Sequence, residues 1–77
     1  MKVKVLLFGI LSEKAKASDI VFENVSDLNA LMDRIRDKYP LIKKMQYIIS
    51  INRKVVKENK ILNDGDEIAL LPPFAGG

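Results

Sequence analysis

Hydrophobic and polar residues alternate along Lys2-Val3-Lys4-Val5-Leu6-Leu7-Phe8, and a period of two predicts a strand with Val3, Val5 and Leu7 on one face. Gly9 breaks the pattern. Residues 10–17 then predict a short helix, with Ile10, Leu11 and Ala15 at helical spacing. Ile20-Val21-Phe22-Glu23 reads as a second, brief strand. Ser26 has the chemistry of a helix N-cap, and Asp27 suits the positive end of the helix that follows. Leu28, Leu31, Met32, Ile35 and Tyr39 form the stripe of an amphipathic helix, which Pro40 ends. Asn29 stands where a capping box places Glu or Gln, so half of that motif is present. Tyr47-Ile48-Ile49-Ser50-Ile51 predicts a third strand, and Asn52-Arg53-Lys54 a turn toward a short Val55-Val56 segment. Asn63-Asp64-Gly65 is a turn signal before a last strand, Glu67-Ile68-Ala69-Leu70-Leu71.

One helix of about three to four turns needs one sheet face to cover its apolar stripe. The order therefore predicts an α+β fold: a mixed sheet packed on one main helix, with an additional short helix and the first and last strands central. That is the ubiquitin-like β-grasp architecture. Residues 1–71 would form the domain and 72–77 an extended tail.

If Val3, Val5 and Leu7 face the core, Leu6 and Phe8 share the other face with Lys2 and Lys4. In the last strand Ile68 and Leu70 would point inward, leaving Ala69 and Leu71 outside, and Ile48 is the third strand's candidate for the same side. Neighbouring first and last strands would gather these residues into an apolar patch, the kind of surface that marks a partner.

Composition narrows the chemistry. With 77 residues, 48% hydrophobic and 30% charged, the chain fits one globular domain and not a disordered segment. It has no Cys and no His, which removes thiol nucleophiles, imidazole bases and the commonest metal ligands together. The net charge of +3 comes from scattered basic residues that do not alternate with aromatics, so no nucleic acid is expected. No apolar run approaches a membrane span, and Met1-Lys2-Val3 opens on a strand pattern; no membrane segment or secretory signal is expected, and the expected location is cytoplasmic. Asp64-Gly65-Asp66-Glu67 is the densest acidic group but lacks the spacing of a calcium loop. A turn closed by side-chain hydrogen bonds, with a left-handed Gly and then a solvent-facing Glu67, accounts for it. Tyr39 and Tyr47 fit packing positions, no Gly-rich loop could cradle a phosphate, and Gly9 reads as a break alone. No catalytic residue and no metal site are expected on the chain itself.

The remaining chemistry lies at the end, Leu70-Leu71-Pro72-Pro73-Phe74-Ala75-Gly76-Gly77. A diglycine alone is a weak signal; its value comes from the strand and prolines before it. Pro72 and Pro73 lack N–H groups, so they stop a sheet ladder and hold the exit extended. Gly76 and Gly77 have no Cβ, which lets a terminal carboxylate enter a narrow channel. The stretch from Leu71 to Gly77 reaches roughly 20 Å when extended.

With these residues in place, the chain resembles the MoaD group, the small subunit of molybdopterin synthase, and more broadly the MoaD/ThiS sulfur carriers. Lys4-Val5-Leu6-Leu7-Phe8-Gly9 is similar to the group's opening strand, and the stretch from Ser26 to Pro40 to its main helix. The closing signature, Leu62 through Gly77, carries the resemblance most specifically. Residues 14–19 depart from it by lacking the Gly usual after the first helix.

The resemblance implies a carrier that binds no resident cofactor. A MoeB-like adenylating enzyme would use ATP to form an acyl-adenylate at Gly77, and a sulfur donor would convert it to a thiocarboxylate. Pro72, Pro73, Phe74, Ala75 and Gly76 would enter the active site of a MoaE-like large subunit, in a heterotetramer. The sulfur would then attack a cyclic pyranopterin precursor, and two loaded carriers would build one dithiolene. Phe8, Val55 and Leu71 would contribute to the partner surface by matching positions, alongside Leu6 and Ile48 from the face pattern. Three alternatives stay open: a ThiS-like carrier for thiamin thiazole synthesis, a ubiquitin-like modifier conjugated through Gly77, and an interaction-only module. The short helix and Pro72-Pro73 favour MoaD over the thiazole carrier.

Overall fold

The structure, a computed structural model, describes residues 1–73. The expected tail residues Phe74, Ala75, Gly76 and Gly77 lie outside the described residues. In chain order the elements are β1 (Lys2–Leu7), α1 (Ile10–Ala15), β2 (Asp19–Glu23), α2 (Leu28–Lys38), a 3₁₀ helix (Pro40–Lys44), β3 (Ile48–Ile51), β4 (Lys54–Val56) and β5 (Glu67–Leu71). The five strands form one mixed sheet in the order β2-β1-β5-β3-β4. β1 runs parallel to β5 and antiparallel to β2, and β3 lies antiparallel to both β5 and β4. First and last strands are neighbours, as the order of elements predicts.

One face of this sheet supplies the core. Val3, Val5 and Leu7 from β1 and Ile68 and Leu70 from β5 are buried there, together with Leu28, Leu31, Met32 and Ile35 from α2. The predicted helical stripe is therefore the packed one, with Tyr39 half-buried at its end. Lys38 ends α2 because Pro40 disfavours helical backbone at the residue before it.

Two local readings need correction, and two further features go beyond them. The N-cap of α2 is Asp27 and not Ser26: Asp27 is extended and its Oδ1 accepts the Ala30 N–H at 2.8 Å. The cause is tertiary. Leu62 N–H donates to the Ser26 carbonyl and Leu28 N–H to the Lys60 carbonyl, which keeps the chain extended past Ser26. Ile10, expected on the apolar face of the short helix, is exposed, whereas the other two expected positions hold: Leu11 is fully buried and Ala15 packs half-buried against the core. The missing Gly after α1 is replaced by Lys16, which takes the left-handed conformation itself, with φ 58° and its N–H on the Ser12 carbonyl. Finally, the 3₁₀ helix after Pro40 was not predicted, yet Ile42 within it is fully buried. Ile42→Ala is expected to cost about 2–5 kcal/mol, a large share of the roughly 5–15 kcal/mol that holds a small domain. A denaturant melt measures this, and a loss below about 1 kcal/mol would remove the 3₁₀ turn from the core.

Candidate docking face and tail root

The sheet face opposite α2 carries the candidate site. Alternation along each strand sends every second residue there. Register then aligns them: Leu6 of β1 is opposite Ala69 of β5, Ala69 is opposite Ser50 of β3, and Ser50 is opposite Val55 of β4. One row thus crosses four strands, large side chains at its ends and small ones in the middle. The result is a depression of about 440 Å³ lined by Leu6, Phe8, Ser50, Arg53, Val55, Glu67, Ala69 and Leu71. Phe8 and Val55 are exposed, while Leu6 and Leu71 are half-buried. Ile48 stands opposite Leu71 in register but is not in the wall of the depression; it borders the neighbouring groove.

That groove, about 640 Å³ between α2 and the β3–β4 hairpin, includes Arg36 in its wall. Arg36 donates to the Tyr47 hydroxyl at 3.2 Å and to the Asp33 carboxylate at 2.9 Å. The Tyr47 bond, then the Asp33 bond, holds the guanidinium above its ordinary pKa. The groove gathers no nucleophile beside a base, and the root of the tail does not touch it. The chemistry therefore belongs with the depression, whose edge residues Phe8 and Leu71 flank the point where the chain leaves the sheet.

The polar rim is built by turns. Asn52 and Arg53 have φ of 49° and 72°, successive left-handed residues that make a tight two-residue hairpin between Ile51 and Lys54. Asn52 holds that strained turn: its Nδ2 donates to Asp66 Oδ1 at 2.9 Å and its Oδ1 accepts the Glu67 N–H at 3.0 Å. Asp66 is buried, and its other oxygen accepts the Asn63 N–H at 2.8 Å. Gly65 takes φ 85° in this turn. The Asp64 carboxylate reaches across instead, accepting the Lys2 N–H at 2.7 Å. The acidic stretch is structural, and Glu67 points to the outer sheet face as predicted, half-buried beside Lys4.

Ser50, Arg53 and Glu67 were absent from the sequence-derived patch. Alternation around Ile49 and Ile51 could have signalled Ser50; Arg53 needed the hairpin geometry.

At the tail root, Phe8 N–H donates to the Leu70 carbonyl at 3.2 Å, past the end of β1. Pro72 is half-buried and Pro73 exposed. Among the described residues no group of three or more Asp, Glu, Cys or His could hold a metal ion. Also among them, no helix is long and apolar enough to cross a membrane.

The family model of ThiS matches residues 5–77, almost the whole chain. The chain belongs to the ThiS family. Among ThiS-family relatives, a molybdopterin synthase sulfur carrier subunit from Mycobacterium tuberculosis is 30% identical over 82 residues, covering 100% of this chain and 99% of that protein. Among solved structures, the complex of subunits 1 and 2 of molybdopterin-converting factor from Helicobacter pylori matches with a TM-score of 0.77 at 31% identity, covering 100% of both chains. Small archaeal modifier protein 1 from Methanosarcina acetivorans matches with a TM-score of 0.84 at 28% identity, covering 99% of this chain and 96% of that one.

Proposed function

We propose that this ThiS-family chain is the sulfur carrier subunit of a molybdopterin synthase, with Gly77 as its working carboxyl end. The observation that carries this is the juxtaposition of an apolar depression with the tail root: Phe8 and Leu71 line the one and flank the other. A carrier needs both features, a face to grip a partner and an end to hand over. The named function of the Mycobacterium tuberculosis relative supports the assignment.

A carboxylate is a poor acyl donor because its charge is delocalised and an oxide leaves badly. A MoeB-like adenylating enzyme solves this: a Gly77 oxygen attacks the α-phosphorus of ATP and pyrophosphate leaves. Sulfur from a separate donor then attacks the acyl carbon, AMP departs, and Gly77 carries a thiocarboxylate. A chain without Cys has no internal thiol to compete for the activated acyl group. The large subunit, MoaE-like, accepts Pro72 through Gly77 into its active site, where the thiocarboxylate sulfur attacks the pyranopterin precursor as a nucleophile; water then cleaves the acyl–sulfur bond, leaving sulfur on the precursor and the Gly77 carboxylate restored. The chain is thus the sulfur-donating subunit of a cytoplasmic sulfurtransferase heterotetramer, and the partner supplies the catalytic groups.

Intact-mass measurement after incubation with ATP, a sulfur donor and the cognate adenylating enzyme tests this. Replacement of one oxygen by sulfur at Gly77 is the expected result, and an unchanged mass overturns it. The similarity to an archaeal modifier favours one second reading, conjugation through Gly77, which would appear as a ladder of higher-mass adducts.

A further inference from the structure

Gly9 precedes α1 with φ 58° and ψ −133°, a conformation that residues with a Cβ rarely enter. A Cβ built there would lie 2.9 Å from Pro72 Cγ and 3.7 Å from Pro72 Cδ. The first of these is closer than van der Waals contact permits. The bare Cα is therefore what lets the proline ring sit down.

Both sides of this contact are held. The Gly9 carbonyl accepts the Glu13 N–H at 3.2 Å, and the fully buried Leu11 ties the same turn to the core. On the other side, Leu70 accepts the Phe8 N–H and Leu71 pairs with Ile48. Pro72 cannot swing clear by rotating φ, because its ring locks that angle near −65°. An added methyl group must then move the whole peptide at the start of the tail.

The geometry points to Gly9 as a positioning residue for sulfur loading, resting on the carrier role proposed above. Its open Cα is the seat of Pro72 and sets the direction in which the chain leaves β5, beside Phe8 and Leu71. The docking depression lies on the sheet: Phe8 and Leu71 border the seat, while Ser50, Arg53 and Val55 line the depression from β3, β4 and the turn between them. Grip and delivery are therefore measured separately: the face contributes affinity for a partner, and the seat sets how the carboxylate is presented to ATP.

The test is a double-mutant cycle with Gly9→Ala and Pro72→Ala in the full-length chain, using the cognate adenylating enzyme and ATP. Pyrophosphate release at saturating enzyme gives the rate, and a binding titration gives Kd. Gly9→Ala is expected to slow adenylation by about tenfold or more, with Kd unchanged. In the Pro72→Ala background the clashing Cγ is gone, so Gly9→Ala should add little further loss. Equal losses in both backgrounds would assign the effect to backbone strain and overturn the seat; so would a wild-type rate for Gly9→Ala, or a rise in Kd that accounts for the loss. If Gly9→Ala does not fold, Pro72→Ala alone decides, since it empties the seat: a slower rate at unchanged Kd is expected, and a wild-type rate overturns the inference. A wild-type chain that releases no pyrophosphate would sink the carrier role itself, a different failure.

Discussion

A chain lacking Gly77 is expected to melt with the full-length protein and to gain no sulfur at all. The described core ends at Leu70, and Pro72 and Pro73 bring no N–H group to a ladder, so the domain draws its stability from residues upstream of the tail. The chemistry, in contrast, has no substitute. A shortened chain ends on Gly76, one residue or roughly 3.5 Å short of the position from which the acyl carbon must reach ATP. Displacements of that size abolish reactions that depend on positioning. Thermal unfolding and intact mass, read on the same sample, separate the two claims. A clear drop in melting temperature would show that the tail is part of the fold, and sulfur gained by the shortened chain would show that Gly77 is not its carrier.

The second large effect falls on the docking face. Phe8→Lys places an ammonium group at the edge of an apolar depression, where a bound partner would strip its water. Residues at the centre of such interfaces are worth about 2–4 kcal/mol, which corresponds to roughly 30- to 1,000-fold in Kd for the large subunit. The fold should not suffer, because Phe8 is 43% exposed and its hydrogen bond to Leu70 uses only the backbone. Val55→Lys, at 61% exposure on the opposite rim, tests the same face from another strand. Unchanged affinity in both variants, measured by calorimetry, would move the partner away from this face.

Much of this molecule is legible from its pattern of residues, for identifiable reasons. Val3, Val5 and Leu7 alternate with polar or outward residues, and the period of two is a property of strand backbone that no distant contact can reverse without exposing the core. The stripe on α2 is equally local. Two of the failures share one cause, a tertiary contact that no local pattern announces. Asp27 replaces Ser26 as the cap because residues 60 and 62 bond the backbone there. Ile42 is buried because the 3₁₀ turn folds back against α1 and α2, and no period marks a five-residue turn.

Gly9 is the sharpest case. Its spacing marks it as a break between strand and helix, which it is. Its closeness to Pro72, 63 positions later, exists only once β1 and β5 run side by side. Strand and helix identity, the inward and outward sets, the absence of thiol and imidazole chemistry, and the proline-braked diglycine all follow from residues within a few positions of one another or from composition. The registers of β5 on β1 and on β3, the cup floored by Ser50 and Ala69, the Asn52–Asp66 lock and the seat for Pro72 each join residues at least 14 positions apart. Such pairs meet only when the folded sheet has set their alignment, because sequence spacing limits reach but does not choose a partner.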